Sequence, residues 1–335
     1  MSPMAPGGVH DPLENVDTRD PDAVVRLLDE AAKANREASC RAGSVDRIAN
    51  KGVLVATGDL HDNPVHFARV LALAQLDRAT EQAPRHVTLH EVVHGELRMG
   101  GVDFSHRALL RVAALKRDKP EYVHTLLANH ELSQIVGAGV VKNGAPVREA
   151  FNEGVRITFG QEEASRVLAA IERFIRSMPL ALLTEAPEGE RILCAHSLPS
   201  PVLMDRFDES VLERDLVVED YEPRRGAAHL MVWGRGHTPE QLERLARRWG
   251  VGLFILGHEH VEEGWRVHEP DVVTLNSDHD KGKALEIPLG ERPDLEHARA
   301  WLRNLADEDV ALRAAAQAAQ APQEGEADAP SDRPS

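Results

Sequence analysis

Gly52-Val53-Leu54-Val55-Ala56-Thr57-Gly58-Asp59-Leu60-His61-Asp62-Asn63-Pro64 decides the architecture. Residues 52–57 form a short apolar run, rich in β-branched side chains, with no polar alternation. That pattern reads as a strand buried on both faces. The run stops at Gly58, and an acid and an imidazole follow at once. A helix is expected from Val65 to about Gln82. One βα unit therefore ends its strand in chemistry.

The alternation repeats outward from this stretch. Upstream, Asp20-Pro21 caps and opens a helix through about Ala38. Downstream, strands are expected at 87–93, 122–128, 180–183, 191–195 and 253–256. Shorter ones are expected at 264–268, 272–276 and 284–288. Helices are expected at 105–117, at 146–177 on both sides of Gly160, and at 238–249. Thr238, Pro239 and Gly250 mark the ends of the last. Alternating strands and helices make an α/β fold. In such sheets ligands bind beyond the carboxyl ends of the strands. Five expected strands deliver polar groups there: Asp59 and His61, Glu91 and His94, Asn129 and His130, His196, then His258 and His260.

The chain has 335 residues, 42% of them hydrophobic, enough for one large core or two small ones. Its formal charge of -16 argues against sequence-independent nucleic-acid binding, which needs clustered Lys and Arg. Two cysteines exclude a disulfide scaffold. No apolar run of about 18 residues occurs, and residues 1–20 lack a signal-type apolar stretch. A cytoplasmic protein without membrane contact is the expectation. The chain divides into a disordered leader (1–19), a main domain (20–290, core 50–290), an Ala-rich helical segment (291–319) and a disordered acidic tail (320–335).

Imidazole and carboxylate without sulfur suit divalent transition metals rather than a cysteine zinc site. Two ions about 4 Å apart need a bridging group, and Asp59 or Glu91 qualifies. Such a pair acidifies water and neutralises phosphoryl oxygens, and a nearby histidine can protonate a leaving oxygen. Each motif alone has a plainer reading. Asp59 suits a turn, Asn129 a helix cap, His196 a structural role. Their joint occurrence at strand ends favours the metal reading. Cys194 reads as a small buried residue rather than a nucleophile.

The ordered set GDLHDN (58–63), ANHE (128–131), CAHSLPS (194–200) and GHEH (257–260) resembles the calcineurin-like metallophosphoesterases, over roughly 50–290. The segment 233–265 is similar to the phosphoprotein phosphatase branch, the serine/threonine protein phosphatases. The resemblance implies a four-layer α/β/β/α sandwich with two mixed sheets. It implies two divalent ions, manganese first, iron or zinc otherwise. It implies Asp59 and His61 at the first ion, Glu91 as the bridge, and Asn129, His196 and His258 at the second. His130 would be the general acid, and His260 a further ligand of the first ion. The implied reaction is hydrolysis of a phosphate monoester, on protein or a small compound, by a metal-activated water.

The chain also departs from the family pattern. Where GDxxDRG is usual it has His90-Glu91-Val92-Val93-His94-Gly95, with residues 96–104 inserted. His94 stands at the position of an acid and reads as a ligand, an orienter of His130 or polar filler. Arg235 leads Arg98 and Arg107 as the expected phosphate contact. A nucleotide or dinucleoside polyphosphate hydrolase and a metal-binding pseudoenzyme are the alternatives. The 4% aromatic content leaves little for base stacking.

Overall fold

The computed structural model describes residues 11–95, 101–137, 141–142, 145–187 and 189–307. The elements run α1 (Pro21–Glu37), β1 (Arg41–Ala42), β2 (Val45–Ala49), β3 (Gly52–Thr57), α2 (Pro64–Ala74), β4 (Arg85–Leu89), α3 (His106–Asp118), β5 (Val123–Thr125) and α4 (Asn129–Val136). Then come β6 (Val141–Lys142), β7 (Ala145–Pro146), α5 (Val147–Arg176), β8 (Ala181–Glu185), β9 (Arg191–Ala195), α6 (Ala227–Val232), α7 (Pro239–Trp249) and β10 (Val251–Leu256). The last are β11 (Trp265–His268), β12 (Val272–Leu275), β13 (Lys283–Leu289), α8 (Leu295–Trp301) and β14 (Leu302–Asn304).

Two mixed sheets result. One is ordered β1-β2-β8-β9-β10-β12-β11 and the other β14-β13-β3-β4-β5, while β6 and β7 pair separately. β3, β4 and β5 are parallel, as are β9, β10 and β12. The two sheets face each other, and side-chain alternation shows why. Leu54 and Ala56 of β3 join Ile192 and Cys194 of β9 and Leu253 and Ile255 of β10 in one core between the sheets. The intervening Val55, Leu193 and Phe254 point the other way, into a core shared with the helices. With both faces buried, every position of such a strand must be apolar. That is the uninterrupted run from which the fold was read. Truncating Leu54, fully buried in β3, to alanine would cost about 2–5 kcal/mol.

Helix starts follow the sequence. Asp20 accepts from Asp22 N, Asn63 from Val65 N and His66 N, and Thr238 from Gln241 N. α5 breaks at Gly160, whose φ of 79° is outside helical space. Several boundaries differ from expectation. α2 ends at Ala74, because Gln75 turns left-handed at φ 48°. β4 ends at Leu89, because the next residues leave the sheet to bind the loop after β3. Residues 11–19 are not loose throughout: Leu13 packs into the helix-side core. Among the described residues the expected C-terminal helix spans Leu295–Trp301. The chain then pairs with β13 as β14. Residues 1–10 and 308–335, with the expected tail, lie outside the described residues, as do Arg98 and most of the insertion after Gly95.

Candidate metal centre

The carboxyl ends of β3, β4, β5, β9 and β10 converge on one edge. The two sheets are tied there by a bridge between Asp59 and Asn276 and by Ser277 N donating to Asp59 O at 3.0 Å. The loops after β3 and β4 are laced together. Leu60 N and His61 N donate to Glu91 O at 3.1 and 2.8 Å, and Asp62 N to Val92 O at 3.0 Å. Glu131, buried in α4, accepts from Val92 N at 2.8 Å and Val93 N at 3.3 Å. This lacing bends the backbone into unfavourable space. His61, Asp62, Glu91, His94 and His258 all have positive φ, between 41° and 69°. For non-glycine residues such a conformation costs about 1–3 kcal/mol and persists where the surroundings enforce it, often at functional sites.

The side chains form two donor groups. Asp59, His61 and Glu91 place ligand-type atoms within 4.8 Å of one another. In the second group, His196 Nε2 is 2.6 Å from Asn129 Oδ1, 3.0 Å from His258 Nδ1 and 3.2 Å from Glu91 Oε2. His258 Nδ1 is 3.1 Å from Asn129 Oδ1. Ligands about 2.1 Å from one ion stand about 3 Å apart, so this spacing fits a single cation. Three of these atoms, Asn129 Oδ1 and the two imidazole nitrogens, form a triangle whose contacts cannot all be hydrogen bonds at once. A cation satisfies every corner. Glu91 belongs to both groups, since its Oε1 is 3.4 Å from His61 Nε2. His61 Nδ1–H donates to Val93 O at 3.2 Å, which leaves Nε2 with the lone pair.

The electrostatics agree with cation binding. Burial pushes Asp59 up to about 7, with the charges of Asp278 and Glu131 adding to it and the His258 N–H opposing. Burial takes His90 down to about 4, His258 down to about 3 and His196 well below the usual histidine range. Neutral imidazoles offer lone pairs, which is the form metals require. The positive charge of Arg235 helps lower both Asp59 and His258, so this exposed side chain acts on the site from its rim.

The predicted residues are thus mostly brought together. His130 packs its ring 5.3 Å from that of His61, with Nε2 3.6 Å from Glu91 Oε1. His260 is not among them: it is exposed, beside His279 at 5.5 Å between rings, and in neither donor group. Arg107 stacks on Phe104 at 5.1 Å. Asn63 caps α2 and donates to Asp278 O at 2.8 Å. Three participants were not singled out from the sequence. His90 lies against Asp59 and His196. Asp103 binds His94, and Glu131 holds the loop after β4. The charged residue inside ANHE was the one available hint for Glu131. Gly257 is required by closeness: a Cβ there would lie 2.5 Å from Asp59 Oδ1 and 2.6 Å from His90 Cε1.

A family model described as calcineurin-like phosphoesterase matches residues 52–262, most of the chain. The chain belongs to the calcineurin-like phosphoesterase family. Among solved structures, this phosphoesterase is similar to a protein serine/threonine phosphatase from Saccharomyces cerevisiae described as similar to human phosphatase PP5. The TM-score is 0.58 at 14% identity, over 88% of this chain and 97% of that one. It is also similar to the cold-active protein-tyrosine phosphatase of a psychrophilic Shewanella species. There the TM-score is 0.50 at 14% identity, over 72% and 76% of the two chains. At these identities the likeness concerns the fold. No curated protein gives a sequence match. The family and the donor groups together point to divalent metal binding and phosphoester hydrolysis. No described helix is long and apolar enough to cross a membrane.

A further acid and imidazole cluster, Cys40, Asp46 and His124, sits away from this edge. Its carboxylate already faces two cations, Arg41 Nε at 2.7 Å and Lys116 Nζ at 3.9 Å. A metal would have to displace them, so the cluster is a buried ion network.

Proposed function

We propose that this protein is a two-metal phosphomonoesterase acting on a phosphorylated protein or small compound. One observation carries the reading: Glu91 reaches His61 with one carboxylate oxygen at 3.4 Å and His196 with the other at 3.2 Å, so a single side chain serves both donor groups. In this reading Asp59, His61 and Glu91 hold one ion. Glu91, Asn129, His196 and His258 hold the other. Manganese is our first choice, with iron or zinc next. The exposed His260 is left out of the proposed set. We place the protein in the cytoplasm, a compartment that suits its two free thiols.

When bound, such ions neutralise phosphoryl oxygens and acidify a water for attack. The chain's own residues do the rest. Glu131 holds the loop that aims Glu91. Arg235 at the rim draws in the phosphate and orients it. His130 holds a proton at Nε2 for the leaving oxygen. The low aromatic content still favours a monoester over a nucleotide.

The test is hydrolysis of p-nitrophenyl phosphate with Mn²⁺ by wild type, Asp59→Asn and His130→Ala. Loss of activity in Asp59→Asn with a fall of about 100-fold or more in His130→Ala is expected. Full activity in Asp59→Asn would refute the site. Faster turnover of bis-p-nitrophenyl phosphate would transfer the assignment to diesters. A metal-loaded protein inert towards both would be a binding protein.

A further inference from the structure

His90 was given no role by its sequence, yet it is buried against the second donor group. Its Nε2 lies 2.8 Å from Thr57 O. A carbonyl carries no proton, so the imidazole must donate there, and the proton of a neutral His90 is thereby fixed on Nε2. Its Nδ1 then presents a lone pair. That lone pair lies 3.2 Å from Nδ1 of His196, also fully buried.

His196 faces two ways. Its Nε2 points at Asn129, His258 and Glu91, as described above. A ring nitrogen coordinates only through its lone pair, so His196 must keep its proton on Nδ1 to offer Nε2 to a cation. A buried N–H needs an acceptor. Two stand within reach: His90 Nδ1 at 3.2 Å and Asp59 Oδ1 at 3.5 Å. The Asp59 oxygens already accept from His258 N at 2.9 and 3.1 Å. His90 is the nearer acceptor and the less committed one.

We propose that His90 is a positioning residue for the second ion: it takes the Nδ1–H of His196, so that His196 Nε2 is held as a ligand. This rests on the reading that His196 binds a metal. The order is Thr57 carbonyl, His90, His196, cation, each link setting the tautomer of the next. Metal-binding histidines commonly lean on such an outer acceptor, and losing it weakens binding by about 10–100-fold. Gly257 leaves space for this arrangement: a Cβ there would lie 2.6 Å from His90 Cε1.

The test uses the full chain, stripped of metal and titrated with Mn²⁺ by calorimetry, with bound metal counted by mass spectrometry. His90→Leu keeps the bulk and removes the acceptor; one of two ions should bind about 10–100-fold more weakly. His90→Asn sets an amide oxygen where Nδ1 stood and should restore most of that affinity. Circular dichroism of the metal-free variants checks the fold. Wild-type affinity in His90→Leu, or equal losses in both variants, would overturn the proposal. So would three ions in wild type and two in His90→Leu, since His90 would then be a ligand itself.

Should His90→Leu not fold, ¹⁵N spectra of histidine-labelled, metal-loaded wild type decide. Protons on His90 Nε2 and His196 Nδ1 are expected, and the reverse tautomers would overturn it. A wild type that binds no Mn²⁺ would remove this inference and the metal site together. Two bound ions without phosphatase activity would remove the proposed function alone.

Discussion

His94 and Asp103 form a buried pair, with His94 Nδ1 2.7 Å from Asp103 Oδ2. Burial alone would raise the Asp103 carboxyl, but hydrogen bonds from His94 and Ser105 bring it below the usual carboxylate range. The carboxylate is therefore the acceptor and His94 Nδ1–H the donor. His94 is pinned further by Ser105 Oγ, which accepts from its backbone N–H at 2.9 Å. Its ring lies 5.2 Å from that of His130. Of the three readings open for His94, the pairing favours an orienter of His130.

That arrangement makes a prediction for Asp103→Asn. The shape survives and the negative charge does not. We expect kcat to fall about 10–100-fold, part of what general acid catalysis contributes, with KM little changed. Removing an anion also makes nearby imidazoles easier to deprotonate. The alkaline limb of the kcat–pH profile should therefore move to lower pH. A loss shared equally by kcat and KM, with an unmoved profile, would mean that Asp103 only supports the fold.

A second prediction concerns metal and stability. A cation bound to the native state stabilises it by about 2.7 kcal/mol at 100 times its Kd. Chelation should lower the unfolding midpoint by several degrees and Mn²⁺ should restore it. His196→Ala removes a member of the tightest donor set, so its midpoint should respond far less to added Mn²⁺. Scanning calorimetry of both proteins, with and without metal, reads this directly. A His196→Ala midpoint rising as far as the wild type's would place the ion elsewhere.

The residues that were legible in the sequence share a cause. Asp59, Asn129, His196 and His258 each follow a strand with both faces buried, so an abrupt polar group marks where the strand leaves the core. His90 and Asp103 carry no such mark. His90 directly follows the apolar end of β4 and reads as one more strand residue, until the loop turns out of the sheet to meet residues 60–62. Asp103 sits in the insertion and meets His94 only through folding. The strand at 302–304 was hidden for a related reason. Tertiary pairing, here with β13, overrode a helical pattern.

Arg235 offers a prediction on substrate binding. It is exposed, so Arg235→Ala should leave the fold intact. A charge-assisted bond to phosphate is worth about 1.5–3 kcal/mol when well placed. At an exposed rim we expect the lower end, about a tenfold rise in KM and weaker inhibition by inorganic phosphate. Unaltered KM and phosphate inhibition in steady-state assays would remove Arg235 from the site.

The network around Asp46 predicts how stability follows pH. Asp46 is fully buried, with Arg41 Nε at 2.7 Å and His124 Nδ1 at 2.8 Å. Burial opposes its ionisation, but the hydrogen bond from His124 and the charges of Arg41 and Lys116 outweigh it and depress its pKa. A depressed carboxyl stabilises the native state above its unfolded pKa, near 3.9, and this is lost as pH falls below that value. His124 is also lowered, by burial, so the native state holds it neutral. That stability is lost earlier, as pH falls below about 6.5 and the unfolded chain takes up the proton. Both signs agree, so the unfolding free energy in chelator should decline below about pH 6.5 and fall further below about pH 4. Asp46→Asn strands Arg41 and Lys116 without their counter-charge. We expect it to cost about 3–5 kcal/mol at pH 7 and to flatten the most acidic part of the decline. Urea unfolding at pH 7, 5.5, 4 and 3 measures both effects. A variant that loses stability with acid as steeply as wild type would show that Asp46 does not set the acid limit.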